Sequence, residues 1–363
     1  MDYYCGVDGG TSATRAIIVD NNCNQLGSAI GPHTNQWIIG LEPAIDRLVS
    51  IIRNALIDAK LSKDTILKVI GLSLSGFHPE CEEKSIKLLN QKYPNLGEFI
   101  FLENDTIGCK FTACDEPSII LISGTGSNCK LIQSDLKSTG VGGWNYKISD
   151  DGSAYSIAIN AIRNYVNNIE GFQKFSYDMT KLEKAIKKYF KIEDIHEFLD
   201  ILYPTDSSFN KTFIAEFAKE ISILATMERD EASMELFYNA GHDLGRMVSA
   251  TFTKSFKLKE QRPSEISVLL CGGTFNSWPL LRDGFILGLS KHYKDDLTNY
   301  RVVLEKLNIS PAIGAAIIGA KVKANITLKR PNNATIVVES ISVKDATIDD
   351  HLKVCPFTAM SRH

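Results

Sequence analysis

The sequence lacks the features that define several large classes of protein. Its eight cysteines are scattered without a Cys-x-x-Cys pair in a chain long enough to bury a core, so a disulfide scaffold is excluded and we expect reduced, mostly buried thiols. No apolar run approaches the roughly 20 residues needed to span a bilayer. The N-terminus has no basic segment before an apolar one, as a signal peptide would. We therefore expect a cytoplasmic protein with no membrane partner.

An excess of charge of one sign is also missing. Lys and Arg total 40 against 43 Asp and Glu, a net charge of -3, so no basic field indicates a nucleic-acid partner. The seven histidines show no metal-ligand spacing, and a protein-bound zinc site is not predicted. The composition, 44% hydrophobic and 23% charged over 363 residues, is typical of a globular protein of two domains. It favours a small-molecule partner.

Two glycine-rich turns each join a pair of predicted strands. The first turn, Gly9–Thr14, follows the apolar segment Tyr3–Asp8 and leads into Arg15–Asp20. The second turn, Ser123–Ser127, joins two similar segments about 115 residues later. A third turn, Cys271–Thr274, follows a strand but precedes a predicted helix. Each turn alone is typical of an ordinary tight turn, whereas three together indicate one ligand that carries phosphate.

Strands alternate with helical patterns along the chain, which is typical of a layered α/β fold. Residues 155–256 have helical spacing and predict a helical layer, with breaks expected at Tyr203–Pro204 and near Gly241. A closing helix is predicted after Pro311, with small residues suited to close packing against a sheet. The similar glycine turns predict two related domains, at residues 1–116 and 117–330. Residues 331–363 are expected to form a tail, to which the sequence assigns no role.

The glycine turns are suited to phosphate, because glycine lets backbone N–H groups approach the oxygens and Ser and Thr add donors. The sequence has neither Gly-x-Gly-x-x-Gly nor a Walker A motif. Because the first two turns lead back into strands, the pattern resembles the phosphate-binding hairpins of the sugar kinase, Hsp70 and actin group. Asp8, at the end of the first strand, would lie beside the phosphates and hold Mg²⁺ through water.

A glycine-rich loop from Gly142 to Tyr155 carries one tryptophan and the paired acids Asp150 and Asp151. These acids would either cap the following helix or face a ligand. Together with the turns, the loop resembles the N-acetylglucosamine kinases of the animal type, within the wider BadF/BadG/BcrA/BcrD ATPase family. The resemblance covers roughly residues 3–320 and rests on six segments: Thr34–Gly40, Gly71–Gly76, Leu121–Cys129, Gly142–Trp144, Gly152–Tyr155 and Ser277–Trp278.

This resemblance implies a fold, a reaction and roles for single residues. The fold would be α/β, with two ribonuclease H-like (actin-type ATPase) domains flanking a nucleotide and sugar cleft and a helical layer in the second. The family's substrates are N-acetylglucosamine and ATP with Mg²⁺, and its members suggest a homodimer. Asp105 matches the catalytic aspartate that accepts the proton of the sugar 6-hydroxyl.

The remaining implied roles fall into two groups. Sugar contacts are expected from Asn35, Trp37, Ser127, Asn128, Gly143, Trp144, Asn145 and Asp150, although Trp37 would by default be a core or rim aromatic. Nucleotide contacts are expected from Asp8, Gly9, Gly10, Ser12, Gly124, Thr125, Gly126, Gly272, Gly273 and Ser277.

The sequence departs from the family pattern at three places. Ser12 stands where the family has threonine, Asn145 where it has glycine, and Ser149 where it has the first glycine of Gly-Asp-Glu-Gly. Asparagine tolerates left-handed backbone well, so Asn145 is compatible with activity. These departures leave open a kinase of N-acetylmannosamine or glucosamine, or a non-catalytic sugar sensor. An ATPase that activates a redox partner is disfavoured, because no cysteine cluster suits an iron–sulfur centre.

Overall fold

The computed structural model describes six ranges of the chain, without the side chains of Phe256 and Lys291: residues 1–10, 13–76, 82–204, 209–256, 264–291 and 300–342. These residues form two units. Unit 1 contains Met1–Ile120, Ile132–Lys137 and Glu305–Val338. Unit 2 contains Leu121–Leu131, Ser138–Leu304 and the described residues from Glu339 onwards. The domain boundaries expected from the sequence stay a prediction.

Unit 1 is built on a five-stranded sheet with the order β3-β2-β1-β4-β5. Its strands are β1 (Tyr4–Gly9), β2 (Ala13–Val19), β3 (Gln25–Pro32), β4 (Leu67–Leu74) and β5 (Gly97–Asn104). β1 and β2 pair antiparallel with Asp8 opposite Arg15, which confirms the first predicted hairpin. β1 pairs parallel to β4, and β4 pairs parallel to β5. The carboxyl ends of these three strands therefore lie at one edge.

Helices cover both faces of this sheet. They are α1 (Gln36–Ile39), α2 (Leu41–Asp58), α3 (Glu82–Lys92), α4 (Asp105–Ala113) and α12 (Pro311–Ala324), numbered in chain order. Side chains alternate along β1, so Val7 packs in the core that contains α2 residues, whereas Tyr4 packs in the core that contains α12 residues. Glycine at position 6 lets α12 lie on the sheet, since a Cβ there would be 1.7 Å from the carbonyl oxygen of Ala312. The predicted close packing of the closing helix is confirmed.

Unit 2 contains most of a second sheet, of six strands with the order β11-β10-β9-β6-β7-β8. Its strands are β6 (Ser118–Ser123), β7 (Ser127–Ile132), β8 (Ser138–Gly142), β9 (Glu265–Cys271), β10 (Arg301–Leu307) and β11 (Thr335–Ser342). Its helices are α5 (Ala154–Ile169), α6 (Thr180–Phe190), α7 (Phe198–Leu202), α8 (Lys211–Glu216), α9 (Ala218–Met227), α10 (Glu231–Phe256) and α11 (Trp278–Lys291). The predicted helical layer is confirmed.

The helix break expected near Gly241 is wrong, because α10 continues through it. Glycine serves close helix packing here: a Cβ at Gly241 would lie 2.0 Å from the carbonyl oxygen of Leu281, and one at Gly284 would lie 1.9 Å from that of Tyr238. The backbones of α10 and α11 therefore approach each other at glycines from both sides. The other expected break is confirmed, since α7 ends before Tyr203–Pro204.

The six described cysteines are free thiols, and four of them are buried: Cys5, Cys23, Cys109 and Cys129. Reduced, mostly buried thiols are thus confirmed for this part of the chain, whereas Cys81 and Cys355 lie outside the described residues. None of the described helices combines the length and the apolar character that a membrane span requires.

Candidate active site

Two aspartates lie at the carboxyl edge of the unit 1 sheet. Asp8 is the next-to-last residue of β1, and Asp105 directly follows the last residue of β5. β4 lies between these strands and aligns them: Asp8 pairs with Ser73, and Ser73 pairs with Glu103. The parallel register therefore brings Asp8 and Asp105 to the same edge, although 97 positions separate them in the sequence.

The two carboxylates interact electrostatically. The pKa of Asp8 is raised to about 7, mainly by burial and also by the nearby charge of Asp105, while Arg15 on the facing strand acts in the opposite direction. A cation at this position would relieve the repulsion. Mg²⁺ binds proteins through one or two carboxylates together with substrate phosphates and water, so this donor set fits Mg²⁺. The described ranges contain no group of three or more His, Cys, Asp or Glu side chains that could hold a metal ion.

Asp105 is positioned by its neighbours. It is the first residue of α4, and Asn104 caps this helix by accepting a hydrogen bond from the Thr106 N–H at 3.1 Å. The Ser73 hydroxyl donates to the Asn104 carbonyl and accepts from the Gly108 N–H, each at 2.8 Å. Ser73 thus fixes the start of α4. The sequence placed it in a family segment but did not identify it as a site residue.

The first glycine turn closes through a hydrogen bond from the Gly10 N–H to the Ala13 carbonyl at 2.9 Å. A Cβ on Gly9 would lie 2.6 Å from a methyl carbon of Leu74, so a side chain there would require the leucine to shift. Ser12 lies outside the described residues, and its expected contact with phosphate stays a prediction.

Asn35 and Trp37 lie against Gly76 in unit 1. Asn35 caps α1, and its side chain accepts from the Trp37 N–H at 3.0 Å. The Trp37 indole N–H donates to the Gly76 carbonyl, which orients the ring while 68% of the residue stays exposed. Trp37 is therefore a surface aromatic and not a core residue. Gly76 has a φ of 76°, and a Cβ there would lie 2.8 Å from the Asn35 amide.

In unit 2, hydrogen bonds join the second glycine turn to the loop between β8 and α5, which carries Asp150 and Asp151 and is called the acid loop below. The Ser123 hydroxyl donates to the Gly152 carbonyl at 2.8 Å, and the Ser127 hydroxyl donates to the Asp151 carbonyl at 2.7 Å. Thr125 occupies the tip of this turn, between Gly124 and Gly126. The turn and the loop consequently form one hydrogen-bonded group.

Asp150 is the buried acid of this group. It is 4% exposed and has a φ of 69°, in the left-handed region that non-glycine residues seldom adopt. Its Oδ1 accepts from the Ser127 N–H at 3.1 Å, and its Oδ2 accepts from Lys211 Nζ at 2.6 Å. The helix-cap interpretation is wrong, because the side chain of Ser153 caps α5. Lys211 was not identified from the sequence, where it lies 61 positions from Asp150.

Asn128 of β7 lies against Gly143 of the acid loop, since a Cβ on Gly143 would lie 3.1 Å from Asn128 Cγ. Asn128 Oδ1 is buried and has no hydrogen-bond partner among the described residues. Trp144 is 70% exposed. Asn145 has a φ of 75°, so asparagine keeps the left-handed conformation at the position where the family has glycine.

The third glycine turn packs on the second. Gly272 has a φ of 112°, and a Cβ there would lie 2.2 Å from the Ser123 carbonyl oxygen. Gly273 begins a short 3-10 helix that ends at Ser277, and the Ser277 hydroxyl lies 2.8 Å from that of Ser222. Thr274 is a further polar residue that the sequence did not single out, and its buried hydroxyl has no partner in the described part of the chain.

The predicted site residues thus fall into two groups. Unit 1 holds Asp8, Gly9, Gly10, Asn35, Trp37 and Asp105, and unit 2 holds Gly124, Thr125, Gly126, Ser127, Asn128, Gly143, Trp144, Asn145, Asp150, Gly272, Gly273 and Ser277.

Sequence and fold are similar to those of known proteins. A model of the BadF/BadG/BcrA/BcrD ATPase family matches residues 5–319. A glucosamine kinase of Vibrio cholerae is 28% identical over 251 residues, which are 68% of this chain and 82% of that protein. An N-acetylmuramic acid/N-acetylglucosamine kinase of Clostridium acetobutylicum is 25% identical over 328 residues, which are 88% of this chain and 98% of that protein.

A solved structure from Chromobacterium violaceum, described as that of a proposed N-acetylglucosamine kinase, has a similar fold. It superimposes with a TM-score of 0.63 at 21% identity and covers 88% of this chain and 99% of that chain. The expected fold class, the α/β actin-type fold of sugar kinases, is confirmed.

Proposed function

Because the chain belongs to the BadF/BadG/BcrA/BcrD ATPase family, we propose that it is an ATP-dependent sugar kinase that acts in amino-sugar salvage. In this proposal it phosphorylates N-acetyl-D-glucosamine at the 6-hydroxyl, giving N-acetylglucosamine 6-phosphate and ADP. The observation that carries the proposal is the pair of interacting carboxylates, Asp8 and Asp105, at the carboxyl edge of the unit 1 sheet. Perturbed acids at such an edge are frequent in catalytic sites.

Asp105 is assigned the proton transfer. Its carboxylate accepts the proton of the sugar 6-hydroxyl while the hydroxyl oxygen bonds to the γ-phosphorus and the bond from that phosphorus to ADP breaks. The first turn of α4 favours negative charge on Asp105, because the N-terminal end of a helix carries partial positive charge. Ser73 and Asn104 hold the turn in place. The protein thus contributes positioning and one proton acceptor.

Asp8 is assigned to the metal. Its carboxylate would hold Mg²⁺ through water, and the ion when bound would neutralise charge on the phosphates. In unit 1, Gly9 and Gly10 are assigned to the phosphates. In unit 2, the proposal assigns Gly124, Thr125 and Gly126 to the phosphates, and Gly272, Gly273 and Ser277 to adenosine. Backbone N–H groups of such turns approach phosphate oxygens closely.

The proposal assigns polar and aromatic residues to the sugar. Asn35 and Trp37 belong to unit 1, and the exposed, oriented ring of Trp37 suits stacking on a sugar. The residues assigned in unit 2 are Ser127, Asn128, Gly143, Trp144, Asn145 and Asp150. The unpartnered acceptor of Asn128 supports this assignment, because a buried polar atom is costly unless a partner binds it.

A second candidate is a kinase of glucosamine. It is supported by the Vibrio cholerae relative and by Asn145, which stands where the family has glycine in the loop assigned to the sugar. Mg²⁺ dependence, a homodimeric state and a cytoplasmic location are further parts of the proposal. Activity with excess EDTA and sedimentation of the purified protein test the first two of these.

The test is ADP release by the purified protein with Mg-ATP and, separately, N-acetylglucosamine, N-acetylmannosamine, glucosamine and glucose. We expect N-acetylglucosamine to stimulate release most and Asp105→Asn to respond to none of the four. A preference for glucosamine would replace the first candidate by the second. Binding of N-acetylglucosamine without any stimulated release would contradict the kinase and favour a sugar sensor.

A further inference from the structure

The buried carboxylate of Asp150 lies directly beneath the second glycine turn. A Cβ on Gly126 would be 2.9 Å from Asp150 Oδ1 and 3.0 Å from Oδ2. The same carboxylate accepts the N–H of Ser127, so it uses one of the backbone donors at this turn. A fixed negative charge in this position would repel any phosphate bound to residues 124–126.

Lys211 offsets this charge. Its Nζ lies 2.6 Å from Asp150 Oδ2, and the lysine side chain is 24% exposed against 5% for the aspartate. Two tyrosine rings also lie near the lysine, since Nζ lies 5.4 Å from the ring centre of Tyr146 and 5.7 Å from that of Tyr155. The ammonium group is therefore held by one carboxylate and two aromatic faces.

The position of Lys211 in α8 does not explain why a lysine occurs there. Lys211 is the first residue of α8, where the N-terminal end of the helix disfavours positive charge. Asn210 already caps this helix through a hydrogen bond from the Phe213 N–H at 2.9 Å. The contacts that hold the lysine lie in the acid loop and on Tyr155.

We propose that Lys211 is a built-in counter-ion, which neutralises Asp150 so that the turn at residues 124–126 can bind the phosphate of a nucleotide. Lys211 acts through Asp150 and is a positioning residue in this role. The inference rests on the proposed function, because that proposal assigns the turn to phosphate. The inference adds to the proposed phosphate site a residue that belongs to none of the glycine turns.

The experiment measures the Kd of MgADP by isothermal titration calorimetry for the wild type and four variants. Lys211→Met should weaken binding by on the order of tenfold or more, because like charges a few ångströms apart at the effective dielectric constant of a protein repel by at least that factor. Lys211→Arg, which keeps the charge, should stay within a few-fold of the wild type. The matched control is Lys219→Met, because Lys219 of α9 has a side chain that is 76% exposed. This variant should bind MgADP as the wild type does.

The fourth variant separates charge from structure. Asp150→Asn combined with Lys211→Met removes both charges and should restore MgADP binding to within a few-fold of the wild type. A lysine with a merely structural role would give a double variant at least as weak as Lys211→Met. If Lys211→Met is too unstable to measure, Asp150→Asn alone serves, since it leaves a positive charge and should bind MgADP at least as tightly as the wild type. Lower salt should widen each of these differences.

The outcomes distinguish this inference from the proposed function. Unchanged affinity in Lys211→Met, or no recovery in the double variant, overturns the counter-ion role and leaves the kinase proposal standing. If the MgADP affinities are as expected but no sugar stimulates ADP release, the counter-ion role is supported and the kinase proposal is contradicted. A wild-type protein that binds no MgADP overturns both.

Discussion

The acids of the two units have opposite electrostatic surroundings. In unit 1, Asp8 lies near a second carboxylate, and its pKa is raised to about 7 by burial and by Asp105. In unit 2, the Asp150 carboxylate has its own ammonium partner, with Lys211 Nζ at 2.6 Å. An acid whose pKa is raised by a neighbouring carboxylate favours an incoming cation, whereas a neutralised acid tolerates an incoming anion. The contrast predicts a metal at the first place and phosphate at the second.

The largest expected effect comes from removal of the proposed proton acceptor. Asp105→Asn should lower kcat for sugar phosphorylation by roughly 10² to 10⁴-fold, the usual contribution of a general base. The KM values for sugar and MgATP should change little, because the amide is nearly isosteric with the carboxylate. Steady-state kinetics measure both quantities. A variant that keeps more than a tenth of the wild-type kcat would assign the proton to another group.

The second glycine turn offers a matched pair of variants. Gly126→Ala brings a methyl group to 2.9 Å from Asp150 Oδ1, whereas a methyl group on Gly124 meets nothing within 4 Å. We expect Gly126→Ala to lose about 1 to 3 kcal/mol of stability, typical of overpacking, and to bind MgADP more weakly. Gly124→Ala should remain within about 0.5 kcal/mol of the wild type. Urea unfolding of both variants checks this. Equal losses of stability would mean that the acid loop shifts to accommodate the methyl group on residue 126.

The acid pair of unit 1 should make stability depend on pH. Because the pKa of Asp8 is raised to about 7 in the folded protein, Asp8 keeps its proton between about pH 4 and pH 7 while the unfolded chain loses it. This contribution to the free energy of unfolding is complete below about pH 4 and is lost as the pH rises through 7. Its expected size is roughly 1 to 2 kcal/mol, allowing for partial exposure.

Urea unfolding at several pH values, with Asp8→Asn as the comparison, measures this contribution. The wild type should lose more stability than the variant between pH 4 and pH 7. Parallel curves would mean that Asp8 titrates near its ordinary pKa, and the contrast between the two units would disappear.

The sequence predicted those parts of the fold and site that local patterns encode. The strands on both sides of the first two glycine turns and the closing helix α12 follow from short-range spacing, and the structure contains all of them. Asp105 was identified through the family resemblance and the end of a strand. Residues joined by tertiary contact were not predicted, and Lys211 and Ser73 are the clearest cases. Lys211 lies 61 positions from its partner, and nothing in its local sequence indicates an ion pair.

Gly241 shows a different limit of prediction from sequence. Glycine inside a helical pattern indicates either a break or a close approach of another backbone, and these two causes cannot be distinguished locally. The structure has the second, because α11 supplies its own glycine, Gly284, against α10. The break at Tyr203–Pro204 was predicted correctly, since proline restricts the residue before it whatever the tertiary context.

The smaller of the two expected effects on kcat concerns Ser73, which links β4 to the start of α4. Ser73→Ala removes both hydrogen bonds of the hydroxyl and leaves the Gly108 N–H without that acceptor, a loss of about 1 to 3 kcal/mol in stability. It should also lower kcat several-fold without a change in KM, because it moves Asp105 and not the ligands. Ser118→Ala is the matched control, since the buried Ser118 hydroxyl has no partner within the described ranges. If the two variants have equal kcat, Ser73 supports the fold alone and Asp105 is held by its helix cap.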